Sequence, residues 1–93
     1  MSYELSFHSD ALVEWRKLDA TVIEQFKKKL AERLQYPRVP SSQLSGHKDR
    51  YKIKLRSVGY RLVYEVRDAV LLVIVVAVGK RERNAVYRVA AKR

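Results

Sequence analysis

Lys52, Lys54, Arg56 and Arg61 are the residues whose types and spacing point most directly to chemistry. They occur in Tyr51-Lys52-Ile53-Lys54-Leu55-Arg56 and in Tyr60-Arg61-Leu62-Val63-Tyr64-Glu65-Val66, two stretches that read as adjacent strands. Successive side chains of a strand point to opposite faces, so one face enters a core while the other presents ammonium and guanidinium groups to solvent. Cations on neighbouring strands repel one another, and like charges placed opposite destabilise a sheet. Such a row calls for a polyanion.

A second basic cluster, Lys80-Arg81-Glu82-Arg83 followed by Tyr87, begins where a long apolar run ends. If that run is the central strand of a meander, its exit lies beside the basic face and three segments converge on one phosphate. The chemistry within reach of such a set is metal-free RNA cleavage. A 2′-hydroxyl attacks the adjacent phosphate, which requires a base, stabilisation of the phosphoryl oxygens and a proton for the departing 5′-oxygen.

Histidine most often handles such transfers. Here His8 falls at a strand-to-helix junction and His47 in a Ser/Gly loop, so both are expected to be structural or solvated. Lysine and tyrosine titrate near pH ~10.4 and ~10, and surrounding cations depress a lysine and stabilise a phenolate. Lys52, Lys54, Arg61 and Arg81 would apply that field to Tyr87 or Lys54. On residue types alone, phosphate binding is reached before cleavage, and a solvated basic face is the plain alternative. Trp15 and Tyr36 read as packing residues, the run Lys27-Lys28-Lys29 as a solvated helix face, and Glu65 as a partner for Arg61 or Lys54.

Length and charge bound the rest. A chain of 93 residues is one domain, 1–93, with a modest core, and 47% hydrophobic residues exclude a disordered chain. The net charge of +10 is uneven: residues 1–47 hold 7 Lys/Arg against 6 Asp/Glu, residues 48–93 hold 13 against 4. A field of that sign gathers nucleic acid and makes binding salt-sensitive; an anionic membrane surface is the weaker reading. Without cysteine there is neither a disulfide framework nor a thiolate metal site, and no cofactor is implied. No signal pattern is present, and the longest apolar run, 70–78, is about half of a membrane span. A soluble cytoplasmic protein is expected.

The elements that must position these residues follow from periodicity. Tyr3, Leu5 and Phe7 alternate as a short strand ending at His8. Ser9 or Asp10 caps a helix bearing Ala11, Leu12, Trp15 and Leu18 on one face. Thr21 to Glu24 has the form of a capping box for a second helix, with Val22, Phe26, Leu30 and Leu34 inward, running to about Tyr36 and stopped by Pro37 and Pro40. A surface loop anchored by Leu44 follows, then two strands joined through Ser57-Val58-Gly59, whose glycine supplies a positive φ. Residues 70–78 form a central strand covered on both faces, and a last helix turns Val86, Val89 and Ala90 inward. The expected fold is a small α+β domain of order β-α-α-β-β-β-α, a mainly antiparallel sheet with a helical hairpin packed on it and a C-terminal helix.

Taken together, the segments 51–56, 59–64 and 78–83 with Tyr87, and upstream Glu14-Trp15-Arg16-Lys17-Leu18 and Lys27-Lys28-Lys29-Leu30, closely resemble the RelE toxins of the RelE/ParE superfamily over nearly the whole chain. The resemblance implies a microbial-ribonuclease-like fold. It also implies a toxin of a bacterial type II toxin–antitoxin pair that cuts mRNA in the ribosomal A site, leaving a 2′,3′-cyclic phosphate and a 5′-hydroxyl. Lys52, Lys54, Arg61, Arg81 and Tyr87 would be the catalytic set, with Tyr87 or Lys54 as base and Arg61, Arg81 and Lys52 steadying the phosphate and the leaving oxygen. Arg56, Lys80 and Arg83 would grip RNA. Without a histidine pair, orientation by the 70S ribosome would carry much of the rate, and other basic surface would meet 16S rRNA. A RelB-like antitoxin is implied, displacing the helix that carries Tyr87, with operator DNA bound only through the antitoxin complex. The competing readings are a gyrase-inhibiting toxin of the same superfamily and a non-catalytic RNA- or ribosome-binding module.

Overall fold

The computed structural model describes residues 2–93. Strand β1 (Glu4–Phe7) passes directly into helix α1 (Ser9–Arg16). The N-cap is His8, where the sequence favours Ser9 or Asp10: its backbone is extended and its Nδ1 accepts the Asp10 N–H at 3.2 Å. His8 is held extended because its own N–H is still bonded to the sheet, at 2.8 Å from the Val75 carbonyl.

Helix α2 (Ala20–Gln35) begins directly after Asp19, so Thr21 and Glu24 lie inside it and the expected capping box does not form. The Ile23 N–H already bonds the Asp19 carbonyl at 3.0 Å, which leaves Thr21 two residues too late to cap. Val22, Phe26 and Leu30 are buried at helical spacing while Lys27, Lys28 and Lys29 are exposed. Fully burying each large side chain contributes roughly 1.5–3 kcal/mol. Pro37, which cannot donate in a helix, follows the last turn.

Strands β2 (Arg50–Leu55), β3 (Tyr60–Arg67) and β4 (Leu72–Lys80) form the antiparallel meander, and β1 joins β4 in parallel, giving the order β1-β4-β3-β2. The hairpin closes through residues 56–59, with Gly59 at φ 72°, so Arg56 belongs to the turn and not to β2. The central strand starts later than the apolar run. A 3₁₀ turn at Asp68–Val70 and a left-handed Leu71 (φ 53°) precede it, and Val70 is 61% exposed.

One face of the sheet packs Tyr51, Ile53, Leu62, Tyr64 and Val73 against Ala11, Phe26 and Leu30 of the two helices. Across the opposite face lies helix α3 (Ala85–Ala91), with Val86 and Ala90 against Val63, Val76 and Ala77. An irregularity in the β3–β4 register makes this second layer possible: Val63 pairs with Ala77 but Tyr64 with Val75, so Val76 is the extra residue of a bulge. The bulge lets consecutive Val76 and Ala77 both serve the α3 side. Among the described residues, no helix is long and apolar enough to cross a membrane.

Candidate active site

The basic alternation of β2 and β3 lies on the face that α3 covers. Lys54 is directly opposite Arg61, and Lys52 is opposite Val63, whose side chain lies under α3. The helix roofs the apolar part of this face and leaves open the end nearest the hairpin. The exit of β4 is fastened to that end: the Arg81 N–H donates to the Gly59 carbonyl at 2.7 Å. Residues 81–84 then reverse the chain through two consecutive left-handed residues, Arg83 (φ 44°) and Asn84 (φ 62°). Asparagine tolerates that conformation, whereas in arginine it stores strain of order 1–3 kcal/mol. The Ala85 N–H closes the reversal on the Glu82 carbonyl at 2.7 Å, and the Arg88 side chain donates to the Arg83 carbonyl.

The result is a cleft of about 350 Å³ lined by Lys54, Arg56, Arg61, Lys80, Arg81 and Tyr87, with Glu82, Asn84, Ala85 and Val86. Three separate chain segments thus meet around one cavity of nucleotide scale. None of its cations takes part in an ion pair among the described residues, whereas elsewhere Arg38, Arg50, Arg67 and Arg93 each meet a carboxylate at 3.1 Å or less. Arg61 is the extreme case, 8% exposed, with one guanidinium nitrogen donating to the Tyr60 carbonyl at 3.0 Å. A buried cation without an acid is costly unless an anion completes it.

The electrostatics agree. The Lys54 ammonium is held below its ordinary range, first by the Lys52 charge, then by lost hydration, then by Arg56, Arg61 and Arg81. Tyr87 brings a different property: its hydroxyl is buried and has no hydrogen-bond partner among the described residues. Groups of that kind are rare in folded proteins because each forfeits its hydration without replacement. Tyr87 lines the cleft beside those cations, so its O–H is a donor that the fold itself leaves unused.

Lys52 stands apart from this cleft. It lines a neighbouring groove with Arg50, His47, Asn84 and Tyr87, and its ammonium is 5.9 Å from the centroid of the Tyr87 ring. Arg83 is absent from both linings. Glu65, expected to pair with Arg61 or Lys54, instead binds Arg50 at 3.1 Å and Arg67 at 2.8 Å, because the register sets it opposite Arg50. Trp15 packs between Phe7 and Phe26, but Tyr36 is 81% exposed and is no packing residue. His8 is the helix cap described above, while exposed His47 shares the Lys52 groove. Sequence reasoning placed Glu82 in the 80–83 cluster without giving it a role and missed Asn84 as a cleft residue; its position just after a strand exit was the available signal. Among the described residues, no group of three or more His, Asp or Glu gathers as a metal site.

The geometry has clear counterparts among known proteins. The sequence model of the ParE toxins of type II toxin–antitoxin systems matches residues 5–85. The mRNA interferase toxin RelE of Escherichia coli K12 is 58% identical over 93 residues, covering the whole chain and 98% of the relative. The free E. coli toxin RelE carrying R81A/R83A superposes with a TM-score of 0.91 at 56% identity, over 100% of this chain and 98% of that one. The RelE-type chain in the intact E. coli RelBE toxin–antitoxin complex gives a TM-score of 0.84 at 57% identity, over 88% and 100%.

Proposed function

From the premise that this chain belongs to the RelE/ParE family of type II toxins, we propose that it is a metal-independent, ribosome-dependent mRNA endoribonuclease. It cleaves in the ribosomal A site, halts translation and is neutralised by a RelB-like antitoxin. The observation that carries the reading is the convergence of unpaired cations and an unpartnered phenol on one cleft. A gyrase-directed member of the superfamily has no need of that set. The interferase name of the 58% identical relative supports the same branch.

In the proposed reaction the scissile phosphate sits between Arg61 and Arg81, whose guanidinium forks suit its non-bridging oxygens. Arg61, buried and held to the Tyr60 carbonyl, is a preorganised donor, so charge developing on phosphorus-bound oxygen is stabilised there with little reorganisation. Lys54 is the base for the 2′-hydroxyl: the cations around it disfavour its protonated form and enlarge the neutral fraction that can accept a proton. Tyr87, which lines the same cleft, gives its proton to the departing 5′-oxygen. Lys52 acts through its charge on Lys54. Arg56 and Lys80, on the cleft rim, and Arg83 hold flanking phosphates. The products are a 2′,3′-cyclic phosphate and a 5′-hydroxyl. Lysine and tyrosine are poorly matched to neutral pH, so correct placement of the 2′-oxygen supplies a large part of the rate. The ribosome provides that placement.

The test is incubation of the purified chain with ribosomes programmed with mRNA and a vacant A site, beside free mRNA and an Arg81→Ala control, with the new 5′ ends mapped. Cuts within the A-site codon, absent from free mRNA and from the control, are expected. Intact mRNA on active ribosomes would overturn the proposal in favour of a binding module or a gyrase inhibitor.

A further inference from the structure

Resting on the nuclease reading, we propose that Arg50 is a positioning residue that sets Tyr87 in the cleft by fastening α3 to the sheet. Helix α3 has seven residues, far below the length at which a helix persists alone. Its N-cap, Asn84, makes no side-chain capping bond, so that end is not secured by a side-chain cap. At the other end, Arg50 Nη1 donates to the Ala90 carbonyl at 2.6 Å. Ala90 lies one turn beyond Tyr87 and is itself 1% exposed, so this bond holds the face of the helix that carries the phenol.

Arg50 can hold the helix because it is itself held. Its Nε donates to Glu65 Oε1 at 3.1 Å, directly across the β2–β3 pair, and Arg67 Nε fixes the second carboxylate oxygen at 2.8 Å. The Arg50 and Glu65 side chains are only 14% and 19% exposed. A pair so enclosed adds little net stability over an apolar replacement, but its directional bonds select one geometry. A cation at the carbonyl end of a helix also opposes the negative end of its dipole. The separate contact of Arg93 with Glu14 and the Val76 carbonyl holds the chain after the helix. Arg50 reaches the turn that bears Tyr87.

Arg50 also lines the groove beside Lys52, so a direct phosphate contact is the rival role. Three variants separate the two: Arg50→Ala, Arg50→Lys and Glu65→Gln, each in the full chain. Hydrogen exchange of the α3 amides is followed with the β3 amides as internal reference, and cleavage on programmed ribosomes is resolved into kcat and KM. Positioning predicts faster α3 exchange and a kcat lower by about 10-fold or more with KM nearly unchanged, for Arg50→Ala and, in the same direction, for Glu65→Gln. Arg50→Lys should not rescue, since a point charge cannot bridge carboxylate and carbonyl as the fork does. A phosphate contact predicts a raised KM with intact kcat in Arg50→Ala and, since Glu65→Gln removes an acid beside the groove, a lowered KM there. That pattern, or unaltered α3 exchange, overturns the proposal. If the parent chain cuts no mRNA the nuclease reading fails, and α3 exchange still decides whether Arg50 fastens the helix.

Discussion

The Lys52 ammonium lies 5.9 Å from the centroid of the Tyr87 ring, in the groove next to the cleft that holds Lys54, Arg61 and Arg81. The phenol therefore divides two basic compartments. The Lys52 charge crosses that boundary as a field, and it is the largest influence on Lys54. A side chain that never enters the cleft thus tunes a group inside it.

Tyr87→Phe removes a hydroxyl that bonds to nothing among the described residues. Stability should stay within about 0.5 kcal/mol, while cleavage of ribosome-bound mRNA falls by about 10²–10⁴-fold. Urea unfolding and single-turnover cleavage are the two measurements. Full activity in the Phe variant would remove the phenol from proton transfer.

The Lys54 field should be visible in the pH profile. Cleavage is expected to rise with pH through a Lys54 value below the ordinary lysine range. Lys52→Ala, or added salt, should move the inflection upward, because each weakens the repulsion that disfavours the ammonium. For stability the sign is the same: between the folded and unfolded values the unfolded chain binds more protons, so stability rises with pH there. An inflection moving downward in Lys52→Ala would refute the assignment.

Acid should loosen the carboxylate contacts. Burial raises the Glu65 pKa, but Arg67 and Arg50 outweigh it and the net value lies below normal. Asp68 is lowered first by the Tyr3 hydroxyl, at 2.5 Å, and then by Arg38. A carboxyl lowered on folding contributes stability that is present above its unfolded value, near pH ~4, and lost as pH falls through the folded value. Melting temperature followed from pH 6 to about pH 2 should fall less steeply in Glu65→Gln than in the parent. Parallel curves would show that Glu65 carries no such linkage.

Tyr64 tests the core without touching the cleft. Its ring is fully buried, its hydroxyl donates to the Pro37 carbonyl at 2.6 Å and accepts from Arg33 Nη1 at 2.9 Å. Tyr64→Phe strands the Pro37 carbonyl, while Arg33 Nη1 keeps its bond to the Lys52 carbonyl at 3.2 Å, and should cost about 1–3 kcal/mol, read by urea unfolding. Cleavage per folded molecule should be unchanged; a selective loss of activity would tie α2 to the site.

Periodicity was enough to read the element order, the meander and the inward residues of α2, because the spacing of Val22, Phe26 and Leu30 and the alternation of Tyr51, Ile53 and Leu55 are local properties of a chain hiding apolar surface. The basic row and the cluster at 80–83 were legible for the same reason, and the close match of segments carried the family. Element ends were less so. Capping by His8 depends on a strand bond to Val75, and the start of β4 depends on a left-handed Leu71; neither has a local sequence signature. Tertiary structure alone decided which cations are spent on carboxylates and which stay free. Glu65 binds Arg50 and not Arg61 because of strand register, and Tyr87 is left without a partner among the described residues because α3 is held where it is. Alternation says which side a residue faces, but register, a bulge and the seating of one short helix say what it meets there.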